Sequence, residues 1–460
     1  MNTPTFFIRT LGCKVNRAES ETLAAALLAL GWLPAASAHA TLAVLSTCTV
    51  TGEADAKNRK VLRALLRQGP QHVIVTGCAV SMDAAAYASL DERIVCVADK
   101  GRLPEVAQRL VSQQEAGDRE PPATSNPRVA QEPGAARGFG DGGRPRMGAN
   151  LRAAQGDGAA RGFAPSSSPS TRPLFRTRVD VKVQDGCDNA CSYCIVHAAR
   201  GPACSEPADA VVARVAQLAE SGTQEVVLVG IDIGAYRDGT LDLAGLLRRL
   251  LAETGIGRVR ISSIEPQSLE PSLVDMLARS DGRVCRHLHL CLQSGSTAVL
   301  QQMSRGYSAG EFAELVSAAR TRIPGLALST DVIVGFPGET DEDFEHTCQL
   351  VSQCSFMRLH VFRYSKRPGT PAAERADQVP PQVVAARAAR LRELGATLAE
   401  RDAQTRIGTI EQVIVERPGH GTAESYHSVA FAADAPQGAL LPMRFTAYDE
   451  QRSLLIAEPC

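Results

Sequence analysis

The sequence predicts an α/β protein with three ordered parts: an N-terminal open parallel-sheet α/β domain, a central partial (β/α) barrel and a small C-terminal antiparallel β-barrel. Three observations carry this reading. Short β-rich runs alternate with helix-length segments through most of the 460 residues, the pattern of parallel strands joined by crossover helices. Residues 113–171 break that alternation with Gly, Ala, Pro, Ser and Arg and almost no aliphatic side chains. From residue 405 onward the texture changes to short β-like runs separated by glycine and proline turns, as in small antiparallel barrels.

Taken in order, residues 1–112 hold the apolar runs "FFIRTL", "TLAVLS", "HVIVTG" and "RIVCVA" between helical stretches such as "RAESETLAAALLALG" and "ADAKNRKVLRALLRQG". Residues 113–171 cannot bury enough apolar surface to offset their ordering entropy, and are expected to be a disordered linker. Residues 172–404 offer six strand candidates, "RVDVKVQ", "EVVLVG", "RVRISSI", "HLHLCL", "LALSTDVIVGF" and "MRLHVFRYS", each followed by a plausible helix. Sites in such folds sit at the carboxyl ends of the strands. Residues 405–460 contain "GTIEQVIVER", "YHSVAFA", "ALLPMRFTAYD" and "SLLIAEP". A barrel of that size is a common oligonucleotide-binding form, with a structural cap as the alternative.

A formal charge of −1 gives no global field for a polyanion, so any nucleic-acid contact must rest on local basic surface. No run approaches the roughly 18 consecutive apolar residues of a membrane helix, and the start lacks a basic segment followed by an apolar one. The expectation is a cytoplasmic protein without membrane contact. Thirteen cysteines, several of them clustered, favour metal or redox chemistry over disulfides in that compartment.

The stretch "VQDGCDNACSYCIVHAARG" spaces Cys187, Cys191 and Cys194 as C-x3-C-x2-C. Structural zinc wants four ligands, usually as two separated pairs, and a thioredoxin-like pair would leave Cys187 without a task. Three thiolates can instead hold three irons of a [4Fe–4S] cluster and leave the fourth open. Cys13, Cys48 and Cys78 each follow an apolar strand and precede a helix. In a parallel sheet such positions converge on one edge near helix N-termini that favour thiolate, so these three are candidates for a second cluster.

The first triplet, with Tyr193 directly before Cys194, resembles the signature of the radical S-adenosylmethionine enzymes. With both triplets and the motifs "SSIEPQ", "LHLCLQSGSTAVLQQMSRGY", "STDVIVGFPGETDEDF" and "HVFRYSKRPGTPAA", the chain resembles the methylthiotransferases of that superfamily, whose C-terminal part is a TRAM-like domain. "TLGCKVNRAESE", "QDGCDNACSYCIV" and "ARGP" most resemble the branch acting on N6-threonylcarbamoyladenosine at position 37 of tRNA. The isopentenyladenosine branch typically has glutamine and methionine at Lys14 and Val15, and the ribosomal-protein branch a proline–lysine pair; both remain alternatives, with a noncatalytic RNA-binding iron–sulfur protein beyond them.

The resemblance implies two [4Fe–4S] clusters and S-adenosyl-L-methionine as cofactors. A cluster on Cys187, Cys191 and Cys194 would generate the radical, and an auxiliary cluster on Cys13, Cys48 and Cys78 would deliver a methylated sulfur to C2 of the adenine. It also implies a tRNA anticodon loop as substrate, a reductase supplying electrons, and a monomer. Tyr193, Glu265 and Gln293 are expected to bind S-adenosylmethionine; Gly335, Pro337 and Gly338 suit a tight turn where backbone approaches the nucleoside. Arg200, Lys366, Arg367 and Arg406 are candidate RNA phosphate contacts. Departures from the family pattern fall at Ser46, His197, Ala198 and Cys204, and at Cys291, where proline is usual.

Overall fold

In the computed structural model, residues 3–117, 177–432 and 434–460 are described. The first part is a five-stranded parallel sheet of order β2-β1-β3-β4-β5, built from β1 (Thr5–Thr10), β2 (Leu33–Pro34), β3 (Leu42–Thr47), β4 (His72–Gly77) and β5 (Ile94–Val97). β3 is buried along its whole length and β4 nearly so, as a sheet covered on both faces requires. The covering helices include α1 (Lys14–Ala29) and α2 (Gly52–Arg67). Thr51 caps α2 through its side chain, with Glu53 and Asp55 in the first turn, where acidic groups complement the helix dipole. The helix Leu103–Gly117 runs beyond the boundary expected at residue 112. The rest of the predicted linker 113–171 lies outside the described residues.

Six parallel strands follow: β6 (Arg178–Lys182), β7 (Glu225–Val229), β8 (Arg258–Ile261), β9 (His287–Leu290), β10 (Ala327–Val334) and β11 (Arg358–Arg363). β8, β7 and β6 form one sheet, and Ser263–Ile264, β9, β10 and β11 the next. A parallel bridge between Val259 and Val284 joins the two, giving the expected partial barrel. Its outer face packs under the helices through Val226, Leu228, Leu246, Leu250, Leu288 and Leu328. The alternate residues of β7, Glu225, Val227 and Val229, belong to the other face. There Val227 and Val229 pack against Val15 and Ala18 of α1, so a helix of the N-terminal part reaches the barrel interior.

The C-terminal strands β12 (Ile410–Arg417), β13 (His420–Ala423), β14 (Ser428–Phe431), β15 (Leu440–Asp449) and β16 (Leu454–Pro459) close into a barrel of order β12-β13-β14-β16-β15. Its core is Val413, Val415, Val429, Phe431, Met443, Phe445 and Leu455. The pairing is antiparallel except for β14 with β16, which is parallel. This barrel is anchored by a buried ionic knot: Arg258 and Arg260 both bind Glu225, and Arg260 also donates to the carbonyls of Glu424 (2.8 Å) and Ala423 (2.9 Å). Burial alone would raise the Glu225 carboxyl; the two guanidinium groups overcome it and hold the pKa down to about 2, since a desolvated charge persists only when paired.

Candidate active site

The radical-type triplet lies on the loop that leaves β6. Gly186 has φ +67°, and a Cβ there would meet the Pro202 carbonyl oxygen at 1.9 Å, so glycine is required for the loop to fold back on residues 201–202. Cys187 N donates to the Gly201 carbonyl at 3.1 Å, and Ser192 N to the Met303 carbonyl at 3.1 Å. The loop is therefore pinned from two sides. Each sulfur faces a donor: Asn189 N at 3.4 Å from Cys187 Sγ, Val196 N at 3.4 Å from Cys194 Sγ, and Arg305 Nη1 at 3.3 Å from Cys191 Sγ.

Cys13, Cys48 and Cys78 follow β1, β3 and β4 in the structure as the sequence predicts. These strands are neighbours, so the three residues share one sheet edge. Cys13 is the N-cap of α1, and Cys78 opens the short helix Cys78–Met82. Gly12 has φ +104°, and a Cβ there would strike Cys48 Cβ at 2.7 Å; the close approach of the residue before Cys13 to Cys48 depends on it. Asn16 ties the two strand ends together by donating to the carbonyls of Leu11 (2.9 Å) and Thr47 (2.8 Å).

The donor chemistry fits iron–sulfur clusters. Burial pushes the thiols of Cys48, Cys78 and Cys187 up, and that of Cys194 to about 11, so ionising them requires a cationic partner, which a cluster supplies. A single zinc ion with Zn–S near 2.3 Å holds its sulfurs roughly 3.8 Å apart. Neither triplet is drawn together within 4.8 Å, although another trio among the described residues is. Three thiolates at each site can hold three irons of a cubane and leave the fourth open.

The structure links the two cysteine triplets through Arg200, which the sequence analysis expects in RNA contact. Its side chain is 3% exposed. It donates to Asp185 Oδ1 at 2.7 Å, to Glu19 Oε1 at 3.2 Å and to Asn16 Oδ1, and its positive charge bears on Cys78 and Cys13. Arg367 is likewise buried, bonded to Thr49 and Asp55 of the N-terminal part, and Arg406 is held by Asp402 and Glu411. These three arginines are tied to groups of the chain itself; of the four residues expected at RNA phosphates, Lys366 is exposed.

Glu265 sits at the end of Ser263–Ile264 and is ion-paired with Arg305. Gln293 takes φ +67° after β9, a conformation that costs a non-glycine residue energy and is concentrated at functional sites. Tyr193 packs on an apolar group that includes Val299, Met303, Phe336 and Ala372. The turn at Gly335, Pro337 and Gly338 is tight, with φ +76° and +79° at the glycines. A Cβ at Gly335 would hit Val384 at 2.4 Å and one at Gly338 would hit Arg375 at 2.5 Å. The chain's own side chains therefore leave little room for a Cβ at these glycines.

Two groups escaped the sequence reading. Arg305 joins Cys191, Glu265 and the Tyr307 hydroxyl, and Tyr307 donates to the Cys291 carbonyl at 2.7 Å. Asp232, at the end of β7, accepts from Ser268 Oγ at 3.0 Å, and burial raises its carboxyl pKa. Its position after "EVVLVG" was a usable signal, the same one that marked Glu265.

Comparison with known proteins agrees with this geometry. Residues 181–351 match the Radical SAM superfamily and residues 5–98 the Uncharacterized protein family UPF0004. The threonylcarbamoyladenosine tRNA methylthiotransferase MtaB of Chlamydia pneumoniae is 33% identical over 416 residues, covering 90% of this chain and 87% of that protein. The tRNA-2-methylthio-N(6)-dimethylallyladenosine synthase of Sorangium cellulosum is 35% identical, covering 91% and 84%. Among solved structures, the radical S-adenosylmethionine methyltransferase TsrM of Kitasatospora setae, with tryptophan substrate and a SAM analog bound, superposes with TM-score 0.54 at 16% identity, covering 81% of this chain and 75% of that one; this likeness concerns the fold. The chain therefore belongs to the radical S-adenosylmethionine methylthiotransferases, enzymes that work with [4Fe–4S] clusters and S-adenosylmethionine.

Proposed function

We propose that this enzyme converts N6-threonylcarbamoyladenosine at position 37 of tRNA to its 2-methylthio derivative. When bound, the cofactors supply a one-electron cleavage of S-adenosylmethionine and a sulfur for transfer. Cys187, Cys191 and Cys194 would hold the radical-generating cluster, and Cys13, Cys48 and Cys78 the auxiliary one. Arg305 would place a fixed positive charge beside the first cluster, and Arg200 would hold the loop end of one site against the sheet edge of the other. Residues 1–112, 172–404 and 405–460 would act as cluster domain, radical barrel and RNA-binding barrel, with a reductase supplying electrons.

The observation that carries the substrate assignment is Lys14. It follows Cys13 and is half-buried, and its charge bears on Asp331, His287 and His360 of the barrel. Burial lowers its pKa, opposed by Tyr426 and Asp180, and among the described residues no carboxylate is in ion-pair distance of its ammonium. Arg178, Arg260 and Arg358 stand around the same Tyr426 ring at 4.7–5.4 Å. Arg178 and Arg260 are already paired with Glu416 and Glu225, so Lys14 is the charge that suits the free carboxylate of a threonylcarbamoyl group and penalises an apolar isopentenyl chain. The relatives named as dimethylallyladenosine synthases keep the isopentenyl nucleoside as the second reading.

Mass spectrometry of tRNA nucleosides from cells with and without the gene tests the assignment. The expected result is loss of 2-methylthio-N6-threonylcarbamoyladenosine with accumulation of its precursor. Loss of the methylthiolated isopentenyl nucleoside instead would replace the substrate.

A further inference from the structure

The barrel interior holds a second donor set that neither cysteine triplet uses. His289 on β9, Cys291 just after it, and Asp331 on β10 bring one ligand atom each to within 4.8 Å of the others. Cys291 is buried. His289 is 11% exposed in its side chain and Asp331 26%, so the group is largely walled by protein.

The His289 ring presents a nitrogen placed to coordinate an ion. His289 Nε2 lies 3.2 Å from Asp331 Oδ1, but the two are not aligned as a hydrogen bond, and Nε2 is a buried nitrogen without a hydrogen-bond partner. Such groups call for an explanation, a bound ion among them. A zinc-class ion holding nitrogen at about 2.0 Å and oxygen at about 2.1 Å spreads the pair by roughly 3.3 Å at a tetrahedral angle. The opposite ring nitrogen, Nδ1, is 3.0 Å from Ser329 Oγ. That contact fixes the ring as outer partners of metal-binding histidines do. Ser329 Oγ is in turn 3.0 Å from His287 Nε2. His287 can accept the serine proton, leaving Ser329 free to accept from His289 and Nε2 with its lone pair toward Asp331 and Cys291.

We propose that His289, Cys291 and Asp331 form a mononuclear site for a divalent first-row transition ion, distinct from both cluster sites. One nitrogen, one sulfur and one oxygen make a borderline donor set that selects zinc or ferrous iron over magnesium or calcium. Three protein ligands leave a fourth position open, as in catalytic rather than structural sites. The His360 ring stands edge-on to His289, with centroids 5.5 Å apart.

The test uses the full chain with both clusters assembled anaerobically, freed of adventitious metal and then titrated with Co2+. One equivalent of cobalt should bind beyond the cluster iron, with a thiolate-to-cobalt charge-transfer absorption. Cys291→Ser should lose that absorption, and Asp331→Asn and His289→Ala should each weaken cobalt binding by at least ~10-fold, all with cluster iron unchanged. Ser329→Ala, which acts through His289, should weaken it by ~10-fold or more while keeping the absorption. No cobalt uptake by the wild-type holoenzyme, or equal uptake with the same absorption in Cys291→Ser, would overturn the assignment.

Discussion

Arg200 donates to Glu19 at 3.2 Å, and this contact joins the loop that carries Cys194 to the helix that begins after Cys13. Both side chains are almost fully buried, at 3% and 8% exposure. Removing one member of a buried, hydrogen-bonded ion pair typically costs about 3–5 kcal/mol when the partner charge is left uncompensated; Glu19 keeps Lys100 and Asp185 keeps Lys182, which places the cost at the lower end of that range. Arg200→Met should therefore lower the unfolding free energy of the cluster-loaded protein by about that amount, read by chemical denaturation. A change below about 1 kcal/mol would mean that the two sites are not coupled through this residue.

Lys14 sets a second expectation. A hydrogen bond to a charged group contributes about 1.5–3 kcal/mol, so Lys14→Met should reduce kcat/KM for tRNA carrying threonylcarbamoyladenosine by ~10–100-fold. Activity on tRNA carrying isopentenyladenosine should fall far less. Steady-state kinetics on the two tRNAs checks the split.

The C-terminal barrel carries a pH dependence. Burial, assisted by the nearby Arg406 charge, lowers the His427 pKa to about 3, whereas an unfolded histidine titrates near 6.5. Between those values the unfolded chain binds a proton that the folded one does not, so stability falls as the pH drops from about 6.5 toward 3. The slope reaches up to about 1.4 kcal/mol per pH unit. His427→Gln should flatten the acid limb of a stability-versus-pH curve measured by thermal unfolding.

Much of the site was legible because its signals are local. A strand, a cysteine and a helix start occur within one short segment at Cys13, Cys48 and Cys78, and the C-x3-C-x2-C spacing is continuous. The six barrel strands likewise follow from apolar runs. β13 escaped because "HGTA" has little strand character of its own; pairing with Val413 and Ile414 makes it a strand. The buried pairing of Arg200 and Arg367 was not legible for a related reason. Whether an arginine faces water or a buried carboxylate depends on partners as distant as Glu19 and Asp55, and no window of sequence contains both. Arg305 was missed on the same grounds, since Cys191 lies far away along the chain.

The division of labour between the two triplets is the centre of this account, and one comparison tests it most directly. Cys48→Ala and Cys191→Ala proteins would be assayed under reducing conditions for 5′-deoxyadenosine and for methylthiolated nucleoside in the same reaction. The account predicts that both variants lose methylthiolation while only Cys48→Ala still forms 5′-deoxyadenosine. Full methylthiolation by Cys48→Ala, or 5′-deoxyadenosine formed by Cys191→Ala at the wild-type rate, would contradict it.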